Sequence, residues 1–214
     1  MRELVSMGHN VLMGGDRWQN ELVSREIPGI TCIYFPGFSI RYSSYLPQYL
    51  KIILSLPAFL FQTLKEHFIL GRVISKHRID IIISDSRPGL WNRKIKSVLV
   101  THMLRIPVPR PFSILESSLL PIIRAVIKQF TYCYVPDLPG DINLSGKLSH
   151  NLRIPDNVRF TGVLSRFGGC TEIKSGKEDY HFVAIMSGPS PQREILTGIV
   201  SSALQGAEGK SVIL

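Results

Sequence analysis

Residues 181–204 read as a strand that turns sharply into a helix, and this unit constrains the fold more than any other feature of the chain. The strand is the apolar run 181–186. The turn, 187–193, holds Ser187, Gly188, Ser190, Gln192 and Arg193, and the helix follows over 194–204. A strand that enters a helix this way aims free backbone N–H groups and the positive end of a dipole at one spot, where phosphates bind. Gly188 permits close backbone approach, the two serines offer hydroxyls, and Arg193 adds a rigid cationic fork. The plainer alternative is a proline-stiffened turn that only starts a helix. The unit lies about twenty residues from the end of a 214-residue chain, so the domain it opens is expected to be unfinished.

The same alternation runs through the earlier residues. Residues 2–6 read as the tail of a helix, 9–13 as a strand ending at Gly14 and Gly15, 18–25 as a helix, and 30–35 as a strand. Residues 46–76 read as largely helical, with a break or kink at Pro57. The β-branched run 79–83 predicts a buried parallel strand, with 84–89 as its C-terminal loop. Strands over 97–101, 133–135 and 158–162 and a helix over 115–130 complete this half. Strands alternating with helices imply an α/β fold with a Rossmann-like parallel sheet. Residues 168–179 are polar and glycine-bearing and read as a linker. The expected organisation is therefore 1–167, a linker over 168–179, and the start of a second α/β unit over 180–214. A chain that opens on a helix tail is expected to lack the strand and loop before it.

The chain is 44% hydrophobic, enough for a core. Its net charge of +9 is concentrated: residues 37–130 hold 14 Lys/Arg against 4 Asp/Glu, a surplus of ten. That segment favours anionic partners. Cys32, Cys133 and Cys170 are far apart, which argues against a zinc site or a disulfide framework and for a reducing, cytoplasmic setting. No D-x-D pattern or His/Asp cluster suggests a metal. The basic residues are dispersed and follow no recognition-helix pattern, so nucleic acid is not an expected partner.

Taken together, several segments resemble a bacterial group of predicted glycosyltransferases related to the MurG type. The residues that carry the resemblance are 8–16, 36–43, 82–90, 100–102, 135–137, 144–150, 161–166 and 187–193. They include Gly8-His9, Ser84-Asp85-Ser86-Arg87-Pro88-Gly89, Thr101-His102 and Ser187-Gly188. The resemblance implies the N-terminal, acceptor-side half of a GT-B fold followed by the first strand, loop and helix of a donor-binding domain. It implies transfer of a sugar, such as N-acetylglucosamine, from a UDP-sugar to a hydroxyl acceptor, without a metal or other cofactor. Two departures bear on activity: the family's opening glycine-rich loop with its histidine is absent, and the donor domain stops at Leu214. A non-catalytic or decayed binding domain, or a nucleotide-sugar epimerase of related fold, are the alternatives.

The candidate catalytic residues are Asp85 and His102, both just past strands, where open α/β sheets place their ligands. Asp85 could act as a base toward an acceptor hydroxyl or orient it; otherwise Ser84 and Asp85 simply turn the loop. His102 could hold the acceptor or the departing diphosphate, or be satisfied by backbone. Arg87, with Ser84, is the candidate grip on an anionic acceptor; the alternative is a solvated arginine. Ser187, Gly188, Gln192 and Arg193 are the candidates for the donor diphosphate. His150 reads as structural. The stretch 42–68 mixes leucines and aromatics with Arg41, Lys51 and Lys65 and could lie on an anionic membrane, reaching a lipid-linked acceptor at the inner face.

Overall fold

A computed structural model describes residues 1–38, 48–106, 113–165, 180–188 and 190–214, and the side chains of all of these except 48–53 and 113–115. The linker expected over 168–179 and the start of the expected membrane-facing stretch lie outside the described residues. The first half is α1 (Arg2–Ser6), β1 (Leu12–Gly15), α2 (Arg17–Glu26), β2 (Thr31–Tyr34) and α3 (Gln48–His77). Then come β3 (Ile81–Asp85), β4 (Lys96–Val100), α4 (Ser113–Ile127), β5 (Tyr132–Val135) and β6 (Val158–Phe160). The C-terminal part holds β7 (Phe182–Ala184), α5 (Gln192–Leu204) and β8 (Ser211–Ile213).

Every strand pairing is parallel, as helical crossovers require. β1 pairs with β2, β3 to β6 form a four-stranded sheet in sequence order, and β7 pairs with β8. The fold is thus α/β with parallel sheets. The first strand falls later than 9–13, because Gly14 and Gly15 take up the ladder positions opposite Ile33 and Tyr34. α2 starts where a capping box sets it: the Asp16 side chain accepts from Gln19 N–H, and the Gln19 side chain accepts from Asp16 N–H.

Two apolar clusters hold the central sheet. Leu99, Cys133, Val135 and Val158 pack with Leu104, Ile127 and Phe130, so α4 and its end cover one set of strand residues. Cys133 is fully buried, and burial pushes its thiol up to about 11. Phe35, Leu70, Ile82 and Leu90 form the second cluster, where α3 meets β3.

Two expectations about this region need correction. The helix does not break at Pro57: α3 runs without interruption over thirty residues. Nor is β3 buried on both faces. Ile82 and Ser84 are covered, whereas Ile81 and Ile83 are 55% and 56% exposed. The β-branched run specified a strand; it could not specify how many layers would cover it. On α3 a second apolar face is open to solvent, carrying Leu54, Phe61, Leu64 and Phe68 at helical spacing. Among the described residues no helix is long and apolar enough to cross a membrane.

Candidate functional site

Parallel strands end on one edge of their sheet, so residues following β3, β4, β5 and β6 converge there whatever their separation in sequence. Asp85 closes β3 opposite Val100 of β4, and His102 lies two residues beyond Val100. Both side chains are exposed, and neither makes a hydrogen bond or ion pair among the described residues. The next residue, Ser86, has φ of 54°, a left-handed conformation uncommon outside glycine. Its N–H donates to Val100 O at 2.9 Å, which ties the turn after β3 to the end of β4.

The loop behind Asp85 is pinned to α3. The Arg87 guanidinium pairs with the nearly buried Glu66, Nη2 to Oε1 at 3.1 Å and Nε to Oε2 at 3.2 Å. It also donates to Phe35 O at 2.8 Å and Pro36 O at 3.2 Å, and lies over the Phe35 ring at 4.7 Å. Gly89 comes so close to α3 that a Cβ there would collide with Thr63 O. His67 donates from Nδ1 to Gly89 O at 3.2 Å, and its ring lies tilted at 37° against Trp91 with centroids 4.1 Å apart. The buried Ser84 hydroxyl donates to Arg87 O at 2.7 Å.

These contacts correct the expectation for two residues. Arg87 is neither solvated nor turned toward an acceptor; its fork is spent joining β2, β3 and α3. Ser84 turns the loop and offers no free hydroxyl. Both point away from solvent because inward alternation along β3 places residue 84, and the return of the loop places residue 87, against α3.

A second arrangement escaped the residue-by-residue reading. Asp137, just past β5, is 1% exposed and gathers donors from its own loop. It accepts from Leu138 N–H (2.8 Å), Leu144 N–H (3.0 Å), Ser145 N–H (2.8 Å) and the Ser145 hydroxyl. The Ser145 hydroxyl, then the Leu144 N–H and the remaining amides, hold this carboxyl well below the usual carboxylate range, outweighing the opposite push of burial. From Ser145 the chain of contacts passes to Ser149 and then to His150 Nδ1 at 2.9 Å, while His150 Nε2 donates to Leu138 O at 2.9 Å. Leu148 O in turn accepts from Leu104 N–H and Arg105 N–H, both at 3.0 Å. Asp137 therefore shapes the 138–150 loop, and that loop braces the segment carrying His102. The segment's own start is set by Thr101, whose hydroxyl accepts from Met103 N–H at 3.1 Å. The available signal was an aspartate after a strand with serines eight and twelve residues on.

At the second candidate cluster, Gly188 has φ of 105°, which only glycine adopts without strain. Ser187, Gln192 and Arg193 are exposed. The end of the helix is occupied by the protein itself. The Glu194 carboxylate accepts from its own backbone N–H, from Ser190 and from Arg193 Nη2 at 3.2 Å, and these contacts hold its carboxyl below the ordinary range. Two of the groups expected to grip a phosphate, Ser190 and Arg193, are already facing a carboxylate. Among the described residues no group of three His, Cys, Asp or Glu side chains is placed to hold a metal.

The structure thus brings Asp85 and His102 to one sheet edge, diverts Ser84 and Arg87 to structural contacts, and leaves Ser187 and Gly188 ahead of α5, and Gln192 and Arg193 in its first turn, exposed to solvent. Set against models of protein families, curated proteins and solved structures, the chain has no match.

Proposed function

We propose that this chain is glycosyltransferase-like and acts in moving a sugar, N-acetylglucosamine or a similar hexose, from a UDP-sugar to a hydroxyl acceptor. One observation carries the reading: Asp85 and His102 end adjacent parallel strands, exposed and without partners among the described residues. In this reading Asp85 takes the proton of the acceptor hydroxyl. The hydroxyl oxygen then bonds to the anomeric carbon as the bond from that carbon to the diphosphate breaks, and UDP leaves with the electron pair. His102 holds the acceptor or the leaving diphosphate. Ser187, Gly188, Gln192 and Arg193, at the start of α5, receive the diphosphate charge once Glu194 has given way. The apolar face of α3 supports a lipid-linked acceptor at an anionic membrane surface, and with it a place at the inner face of the membrane.

A second reading, a non-catalytic binding domain in the same GT-B-like setting, is favoured by the Glu194 carboxylate lying where the phosphate is expected.

Release of UDP from UDP-N-acetylglucosamine, measured with acceptor extracts, separates the two. The first reading expects turnover that falls at least about 100-fold in Asp85→Asn, the scale of a lost general base, and a raised KM in Arg193→Ala. Nucleotide binding without UDP release, unchanged in Asp85→Asn, selects the second.

A further inference from the structure

The sheet edge opposite Asp85 and His102 carries a different feature. α4 follows β4 and precedes β5, so its last turn lies at the N-terminal edge of the parallel strands, beside the residues that lead into β6. There Arg124, Lys128 and Arg153 line one cleft of about 250 Å³ with Ile154, Pro155 and Asp156. Arg124 and Lys128 are four residues apart and share a face at the end of the helix. None of the three cations has an acceptor among the described residues, and Asp156 pairs with none of them. The helix end does not need them as caps. Asn157 Nδ2 donates to Ile127 O and to Phe130 O, each at 2.9 Å, and so serves the carbonyls that cations often serve. Three like charges facing one concavity repel one another, and a multiply charged anion relieves that repulsion. Two guanidinium forks and one ammonium suit phosphate oxygens.

We propose that this cleft is a binding site for a phosphate-bearing anion, separate from the strand ends that carry Asp85 and His102. Its charge comes from Arg124, Lys128 and Arg153, with Asp156 in the same lining limiting how much negative charge the ligand brings beside it. The proposal does not depend on sugar transfer.

The test is calorimetric titration of the whole chain with inorganic pyrophosphate, alongside flotation with phosphatidylglycerol and with phosphatidylcholine vesicles. Saturable pyrophosphate binding that weakens at least tenfold in Arg153→Glu and in Lys128→Glu, and weakens with added salt, supports a soluble phosphate ligand. Flotation with the anionic vesicles alone, lost in the same variants while pyrophosphate fails to bind, supports the same site with a lipid headgroup as source. Arg153→Gln, which removes one charge without reversing it, is the check against misfolding: it should show a smaller loss in the same direction with an unchanged unfolding midpoint. Absence of both kinds of binding, or binding that none of the three variants alters, overturns the proposal.

Discussion

Arg87 and Arg193 each stand three residues beyond a serine in the segment after a strand, yet the molecule puts them to opposite uses. Arg87 turns inward to Glu66, Phe35 O and Pro36 O, with side-chain exposures of 19% for the arginine and 5% for the glutamate. Among the described residues Arg193 pairs with its neighbour Glu194, and both are about half exposed. The surroundings differ in the same sense. The sheet β3 to β6 contains fully buried side chains such as Cys133 and Val135, whereas no described residue of 180–214 is buried. An arginine beside a covered carboxylate becomes part of the framework; one beside an exposed carboxylate on an uncovered surface stays half open to solvent.

The sharpest break of this contrast is Arg87→Ala. It leaves Glu66 covered and without a cationic partner, keeping only the long contact from Gln62 Nε2 at 3.5 Å, which should cost about 3–5 kcal/mol in denaturant unfolding. Replacing both partners with apolar residues, Glu66→Leu with Arg87→Met, should cost less than either single change. If the single variants unfold like the parent, the clasp is not what holds the loop. Next comes Gly89→Ala, where the new methyl meets Thr63 O and should cost about 1–3 kcal/mol in the same measurement.

Asp137→Asn should change the pH dependence rather than only the stability at neutral pH. A carboxyl held below its ordinary range stabilises the fold fully above that range and loses the contribution as pH falls through and below it. The parent should therefore lose stability steeply on acidification below about pH 4. The variant, which turns an amide N–H₂ or a weaker acceptor toward the Leu144 and Ser145 amides, should be less stable at pH 7 and show a shallower acid slope. Parallel acid-unfolding curves would show that Asp137 does not brace the loop. The smallest effect belongs to Arg193→Ala, which should move stability by no more than about 1 kcal/mol, whatever it does to the KM that the proposed sugar transfer expects it to raise. A large stability loss there would erase the difference between the two arginines.

Much of the architecture is legible in the residues alone. The run at 79–83, the apolar 97–101 and 133–135, and the period of 115–130 each specify an element from local propensity and spacing. The short β8 was not read, because Ser211–Ile213 carries too few residues for a periodic signal. Pro57 predicts a break or a kink, because a missing N–H and a ring clash disturb a helix; α3 does not break there and continues to His77. The strand-end logic put Asp85 and His102 on one edge, and the structure places them there. It could not separate Arg87 from them, since its acceptors at Phe35 and Pro36 lie about fifty residues upstream. Nor could it find Asp137, whose donors come from a loop with no regular pattern.

The sequence by itself determined an α/β alternation, parallel strands and a basic middle segment. These follow from side-chain period, branching and charge count, which act over a few residues or are simple sums. Only the tertiary structure decided which face of β3 is covered, that Arg87 is spent on Glu66, that Glu194 sits at the start of α5, and that Arg124, Lys128 and Arg153 share one cleft. Each of those outcomes depends on which distant backbone or side chain arrives nearby, and burial and hydrogen-bond partnership are set by that arrival.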